Sequence, residues 1–378
     1  MPTGPLYRHP DDEQGLKIRP RIAHHPAHGS TCHIATINGG RYIILFQVPS
    51  MTPKTARQQP LDFERPIMEI EESLARLTSV HPPDDPGVAR EVAALRERLG
   101  RVRGEIYARL NPWQRVQIAR HPARPYTLDY AALCFDEFIE LRGDRAFADD
   151  RSLVGGFARL GGHPVMLIGH QKGRDTKDRA LRNFGMAHPE GYRKALRLMR
   201  LASKFGLPII TLVDTPGAYP GIGAEERHIA EAIAVNLREM FSLEVPIVAA
   251  VIGEGGSGGA LGIAIADRVL ILENAYYSVI SPEGCAAILW KNRARAAEAA
   301  AALKMSSADL LRLGIVDEII PEPPGGAHHD ATAMAATLKA ALARHLAALA
   351  PIRPADLRNQ RYEKFRRLGP FDESRPES

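Results

Sequence analysis

The 378-residue sequence predicts an α/β domain that repeats one strand–turn–helix unit, places its strands parallel, and is preceded by a helical hairpin. Three observations carry this. Short apolar runs rich in β-branched residues recur at 165–170, 209–214, 247–252, 269–272 and 277–280. Several of them end in a polar or glycine-rich turn, and helical patterns such as 191–205 and 225–241 lie between them. Upstream, 61–110 carries two helical seams separated by a proline-rich breaker.

Residues 1–60 read as an extension. They are rich in Pro, His and Gly, and Tyr42 to Val48 is their one short apolar patch. Without a sustained period they bury too little surface to offset the entropy of ordering. The expectation is that this segment is disordered or comes from an overlong gene, with Met51 as the true start and the folded chain beginning near Leu61. Residues 61–110 then form the hairpin. Ile67, Ile70, Leu74 and Leu77 make one seam, and Val88, Val92, Leu95, Leu99, Val102 and Ile106 the other. Pro82, Pro83 and Pro86 prevent one continuous helix. So small an arm suits packing or assembly rather than chemistry.

The main domain is expected over 111–350. A turn-rich entry from His121 leads to a helix over Leu128 to Leu141, then to a charged loop, 142–150. Ser281-Pro-Glu283 has the form of a helix start, with a cap, a proline at the first position and an acid in the first turn. Gly314 suits a helix C-cap, and 331–350 is an alanine- and leucine-rich helix. Residues 351–378 form a basic tail, helical over 356–367, that docks on a partner or is solvated.

The centre of the chain is 245–272. Six of the ten residues from Gly253 to Gly262 are glycine, between two buried-strand patterns, with a short small-residue helix from Ala260 to Ala266. Glycine lets a backbone approach a ligand without an intervening Cβ, and N–H groups freed at a helix start point at negative charge. Gly253-Glu-Gly-Gly-Ser-Gly258 also fits G-x-G-x-x-G, with Glu273 20 residues on where a ribose-binding acid would sit. Gly255-Gly-Ser257-Gly-Gly259 fits the G-x-S-x-G nucleophile elbow. So glycine-rich a run fits many patterns by chance. A second glycine turn at 215–223 and the short following helix weigh against a dinucleotide fold. A hydrolase would draw its histidine from His328, His329 or His345.

With 45% hydrophobic and 25% charged residues, the composition is that of an ordinary globular protein. No apolar run is both long and charge-free, which argues against a membrane span. Cys32, Cys134 and Cys285 are too scattered for a zinc site or a disulfide framework and suit a reducing cytosol. The formal charge is +5, interspersed with acids, and no nucleic-acid motif appears. The basic excess suits a phosphate-rich substrate or an acidic partner.

Together, Arg124-Pro-Tyr-Thr-Leu-Asp-Tyr130, Gly169-His-Gln-Lys-Gly173, Asn183-Phe-Gly-Met186, Pro189-Glu-Gly-Tyr-Arg-Lys-Ala195, Val213-Asp-Thr-Pro-Gly-Ala-Tyr-Pro-Gly221, Gly253-Glu-Gly-Gly-Ser-Gly-Gly-Ala260, Ser278-Val-Ile-Ser-Pro-Glu-Gly-Cys285 and Pro321-Glu-Pro-Pro-Gly-Gly-Ala327 closely resemble the carboxyltransferase α subunit of bacterial acetyl-CoA carboxylase. Leu61-Asp-Phe-Glu-Arg-Pro-Ile67 looks like that family's usual start, and the likeness covers about 61–365. It implies the crotonase (ClpP-like) spiral of strand–turn–helix units. It implies a cytoplasmic transferase for fatty-acid biosynthesis that works only with a zinc-ribbon-bearing β subunit, two α with two β subunits, alongside biotin carboxyl carrier protein and biotin carboxylase. Carboxybiotin on the carrier would give its carboxyl to acetyl-CoA, making malonyl-CoA, with ATP used only by the biotin carboxylase and no metal in this chain. Under that resemblance Gly255, Gly256, Gly258 and Gly259 are oxyanion-hole candidates. Gly217, Ala218, Tyr219 and Gly221 line the carboxybiotin pocket wall. Lys172 and Arg174 are candidates for CoA phosphate or carrier contact, against the alternative of a solvated face. Asp214 is expected to cap its turn, and His170 to be structural.

Overall fold

The structure, a computed structural model, describes residues 61–80 and 85–369 together with the backbone of three earlier strands, Pro20–His24 (β1), Thr31–Ile37 (β2) and Arg41–Phe46 (β3). These three form an antiparallel sheet of order β1-β2-β3, with Ile22 opposite His33 and Ile34 opposite Ile44. This corrects the expectation of an extension without regular structure for these strands. The rest of the expected extension, Met51 included, lies outside the described residues. The chain divides into two units, 1–54 and 55–378.

In the second unit the expected hairpin forms, as Arg65–Val80 (α1) and Pro86–Ala108 (α2). Asp85 caps α2 by accepting from the Gly87 N–H, and Pro86 fills the first position, where no N–H is needed. The seam is only half-buried: α1 buries Ile67 and Ile70, and no residue of α2 is fully buried. Pro112–Ala119 (α3) follows, with Asn111 and Gln114 capping one another reciprocally.

The helix expected over 128–141 is shorter, Thr127–Cys134 (α4). Phe135 turns extended (φ −105°, ψ 145°), and Glu137–Glu140 is a strand, β4. It pairs antiparallel with Leu153–Leu160 (β5), which pairs antiparallel with His163–His170 (β6). The sheet is therefore mixed rather than wholly parallel. Gly155 and Gly156 hide β5 in the sequence, yet the strand requires one of them: a Cβ on Gly156 would stand 1.9 Å from the Ile139 carbonyl oxygen.

From β6 onward the repeated plan holds. Thr176–Leu181 (α5) and Pro189–Lys204 (α6) lead to Ile209–Thr215 (β7). Ile222–Glu226 (α7) and Ile229–Ser242 (α8), split at His228 (φ +63°), lead to Ile247–Gly256 (β8). Ser257–Leu261 (α9) is shorter than the helix expected to Ala266 and leads to Arg268–Leu272 (β9) and Tyr276–Ser278 (β10). Pro282–Trp290 (α10), Ala296–Ala302 (α11) and Ser307–Arg312 (α12) precede Glu318–Ile320 (β11), and Ala331–Leu349 (α13) and Pro354–Arg366 (α14) close the chain. Ser281 caps α10 as expected, accepting from the Gly284 N–H.

The sheet order is β11-β9-β8-β7-β6-β5-β4, parallel from β6 to β11. The last residues of β8 leave β9 and pair in parallel with β10. This turns the chain out of the main sheet, as a spiral of units requires. Every residue of β7 and β8 is buried. Each buried Val, Leu or Ile contributes about 1.5–3 kcal/mol, so this strand pair anchors the core. Among the described residues no helix is long and apolar enough to cross a membrane.

Candidate functional site

Neighbouring parallel strands β7 and β8 end at the same edge of the sheet, and each runs into a glycine turn. The two turns touch. A Cβ on Gly256 would lie 2.2 Å from the Pro216 carbonyl oxygen, and one on Gly259 would lie 2.4 Å from the Ala218 nitrogen. No side chain fits at either position, so backbone meets backbone. Thr215 Oγ1 accepts from the Gly217 N–H at 3.1 Å and donates to the Gly217 carbonyl at 2.7 Å, fixing the facing turn. Tyr219 lies against the His188 ring, centroids 4.1 Å apart, and a Cβ on Gly221 would strike the Tyr219 ring at 2.3 Å.

The four glycines of the second turn divide. Gly255 and Gly256 sit inside the ladders of β8, opposite Tyr277 and Ser278 of β10, with Gly255 also paired to Thr215. Gly258 and Gly259 belong to the first turn of α9, where N–H groups have no acceptor within the helix. A Cβ on Gly258 would meet nothing nearer than Ile233 at 3.8 Å. Between them Ser257 is exposed and left-handed (φ +58°), an uncommon conformation for serine. The edge lies open: Ile222 is 80% exposed and Val279 78%. A cavity of about 420 Å³ between α6 and α8, lined by Arg145, Arg193 and Arg197, includes none of the glycine-turn residues.

Beneath the turns lies a charged network. The Lys172 ammonium donates to Asp214 at 2.6 Å and to Glu254 at 2.7 Å. Glu254 also accepts from Arg120 at 2.7 Å and from the Tyr276 hydroxyl at 2.7 Å, and Arg120 donates on to Glu283 at 2.5 Å. Asp214 accepts in addition from the Glu254 N–H at 2.9 Å. Gly253 permits this approach, because a Cβ there would stand 2.5 Å from the Asp214 carboxylate. Burial opposes ionisation of Glu254, but Lys172 and Arg120 outweigh it and hold the carboxyl down at about 2. Burial also opposes charge on Lys172, and the two carboxylates overcome it, so its pKa is raised.

Lys172, 12% exposed and paired with two buried carboxylates, is therefore not a solvated cation. Arg174 stacks over the Tyr126 ring at 3.9 Å and bonds Asp129 and the carbonyls of Pro122 and Arg124. The Asp214 carboxylate reaches Lys172 and the Glu254 N–H of β8, whereas the hydroxyl of Thr215 is what bonds within the turn that follows β7. His170 is fully buried, and burial together with Lys172 depresses it to about 3, so it is a neutral residue of the interior. Of the histidines a Ser257 hydrolase would need, His328 and His329 stand beside Glu64, and His345 lies 2.7 Å from Glu318. Sequence reasoning did not single out Arg120, Tyr276 or the pairing role of Glu254. The available signal was a charged residue inside a buried glycine-rich strand, which must find a partner.

Two further pairs hold the motifs together. Arg124 and Glu322, each 1% exposed, form a two-pronged ion pair between segments 198 residues apart, and Arg124 also donates to the Ile252 carbonyl at 2.7 Å. Burial opposes the Glu322 charge and Arg124 prevails, holding it at about 2. On α14, Arg361 is buried against Asp267, so the basic tail is anchored to the core through this residue.

Comparison with known proteins agrees with this architecture. The family described as "Acetyl co-enzyme A carboxylase carboxyltransferase-like" matches residues 60–369. The acetyl-coenzyme A carboxylase carboxyl transferase subunit alpha of Geobacter metallireducens is 56% identical over 318 residues, covering 84% of this chain and 100% of that protein. Its counterpart in Burkholderia cenocepacia is 58% identical over 316 residues, 84% of this chain and 98% of its own length. Among solved structures, a transcarboxylase 12S with hydrolysed methylmalonyl-coenzyme A bound superposes with a TM-score of 0.51 at 22% identity, over 64% of this chain and 45% of that chain. The chain thus spans under half the length of that neighbour, and at this identity the likeness speaks for the fold, the crotonase fold of carboxyltransferases. The chain belongs to the acetyl co-enzyme A carboxylase carboxyltransferase family.

Proposed function

We propose, from that membership, that this chain is the α half of a carboxyltransferase that moves a carboxyl group from carboxybiotin to the methyl carbon of acetyl-CoA. The observation that carries the reading is the backbone contact between the two glycine turns at the ends of β7 and β8. When carboxybiotin releases CO2, negative charge gathers on the ureido oxygen of biotin. Backbone N–H donors aimed there lower the barrier, each by about 3 kcal/mol. Gly258 and Gly259, at the head of α9, supply those donors. Gly255 and Gly256, held in the ladders, set how closely the facing turn approaches. Gly217, Ala218, Tyr219 and Gly221 form the opposite wall. The biotin anion takes a proton from the acetyl methyl, and the thioester enolate attacks CO2, so no side-chain base is needed.

The open edge suits a half-site. In this reading a β subunit bearing a zinc ribbon closes it, biotin carboxyl carrier protein delivers carboxybiotin, a separate biotin carboxylase uses the ATP, and two α and two β subunits assemble in the cytoplasm. The test mixes the full chain with its β partner and follows carboxyl transfer in reverse, from malonyl-CoA to biocytin. Activity that needs both chains is the expected result. Full activity of this chain alone would overturn the split site.

A further inference from the structure

Away from the glycine turns, the structure brings together three groups that the carboxyl-transfer chemistry does not use. Glu64 stands just ahead of α1, and His328 and His329 follow β11 in a tight turn. Their ligand atoms all lie within 4.8 Å of one another. The Glu64 Oε1 atom is 3.6 Å from His328 Nε2 and 3.8 Å from His329 Nε2. The Glu64 side chain is 6% exposed and that of His328 1%. Both ring nitrogens of His328 are buried without a hydrogen-bond partner. Such an orphaned pair costs roughly 1–3 kcal/mol per group, and a native structure calls for something that repays it.

The turn is shaped to present these rings. Gly325 (φ +92°) and Gly326 (φ +87°) adopt backbone angles that other residues avoid. A Cβ on Gly326 would lie 2.9 Å from the His328 ring, and one on Gly325 2.8 Å from the His329 ring. The carboxylate is oriented in turn. The Tyr107 hydroxyl donates to Oε1 at 2.5 Å, and the Leu61 N–H donates to Oε2 at 3.1 Å. An outer partner that fixes a carboxylate is a regular companion of a metal ligand.

We infer that Glu64, His328 and His329 form a binding site for a divalent transition cation of the zinc type. Two imidazoles and a carboxylate are the nitrogen and oxygen donors such a cation takes. Ligands on a tetrahedral centre with bonds of about 2.0–2.1 Å stand about 3.4 Å apart. The two carboxylate–imidazole separations are a few tenths of an ångström longer than this, and the two imidazoles, within 4.8 Å of one another, would draw together around the ion. A water completes the shell. The ion would tie the start of the helical hairpin to the turn after β11, segments at opposite ends of the second unit's sequence. Its role is therefore structural, and the inference stands independently of the carboxyltransferase reading.

The experiment uses the full chain without an affinity tag, stripped with a chelator and titrated with Zn2+ alone against a chromophoric competitor. The remaining histidines of the chain make a variant comparison essential. Wild type is expected to take up one tight equivalent, and His329→Ala, which changes a side chain near the surface, to lose roughly 100-fold or more in that affinity. Glu64→Gln should lose affinity as well, and Zn2+ should raise the melting temperature of wild type but not of His329→Ala. Cobalt substitution should give the intense visible bands of a tetrahedral ion. Absence of a tight equivalent, equal affinity in wild type and His329→Ala, or a folded Glu64→Gln that binds as tightly as wild type would each overturn the site.

Discussion

Strand β8 has a charged cluster at each end, and the two are built on opposite plans. At its start, Arg361 donates to both oxygens of Asp267, at 2.9 and 2.8 Å, and to the carbonyls of Met240, Leu243 and Val245. One cation meets one anion, every guanidinium donor is used, and the side chains are 0% and 3% exposed. Asp267 also accepts from the Ile247 N–H at 2.7 Å, pinning the first residue of the strand. At its far end Lys172 and Arg120 face Asp214, Glu254 and Glu283, two cations against three carboxylates, and Arg120 and Glu283 are each 29% exposed. The first cluster is closed, in charge and in hydrogen bonds. The second is open in charge and reaches solvent, and it underlies the two glycine turns. A closed cluster serves stability, whereas an open one holds a surface ready for something that arrives.

The comparison can be broken in several places. The largest expected effect is at the closed end. Arg361→Ala leaves Asp267 buried and unpaired and should cost about 3–5 kcal/mol in urea unfolding, while carboxyl transfer per folded molecule with the β partner stays near wild type. A proportionate loss of transfer would show that the two ends are coupled. Next is Gly256→Ala, whose methyl must displace the Pro216 backbone. It should destabilise by about 1–3 kcal/mol and reduce transfer far more than that figure explains. Glu254→Gln keeps the shape and removes one charge of an open cluster. Its expected stability cost is smaller, about 1–2 kcal/mol, with transfer reduced at least tenfold. If stability falls as much as for Arg361→Ala with transfer intact, Glu254 is structural and the contrast fails.

Acidity separates the ends further. His170, two residues from Lys172, is depressed to about 3 from an ordinary 6.5. Below pH 6.5 the unfolded chain takes up a proton there that the folded chain refuses, so this group lowers stability as pH falls from 6.5 to 3, by at most about 1.4 kcal/mol per pH unit. Glu254 and Glu322, held at about 2 from an ordinary 4.5, add a second loss as pH falls from 4.5 to 2. His170→Gln should flatten the upper part of the stability–pH curve. The smallest effect is expected at Ser257→Gly, which relieves a left-handed serine and should raise stability by about 1 kcal/mol or less with transfer unaltered. A tenfold fall in transfer would return Ser257 to the chemistry.

Most of the repeated plan was legible because β6, β7, β8 and β9 each carry their own apolar run, and the glycine turns announce themselves locally. The antiparallel edge was not. β5 holds Gly155 and Gly156 where a strand pattern expects side chains, and Phe135 and Phe138 extend a helical spacing past the point where tertiary pairing straightens the chain. The candidate site divides the same way. Gly256 and Gly259 could be read from the sequence, whereas Arg120, Lys172, Asp214, Glu254 and Glu283 are distant in sequence and meet only in the fold. His328 and His329 drew notice only as triad partners, because the third member of their cluster lies at Glu64.

Arg361 has one more consequence, and it concerns time. Asp267 and its partner are 94 residues apart. A ribosome adding about 5–20 residues per second needs about 5–20 s to cover that distance. During that interval β8 and β9 have left the ribosome with an acid at their base and no cation to meet it, so their starting edge must stay wet. This end of the core can dry completely only when α14 arrives, so β8 and β9 wait on a helix made long after them.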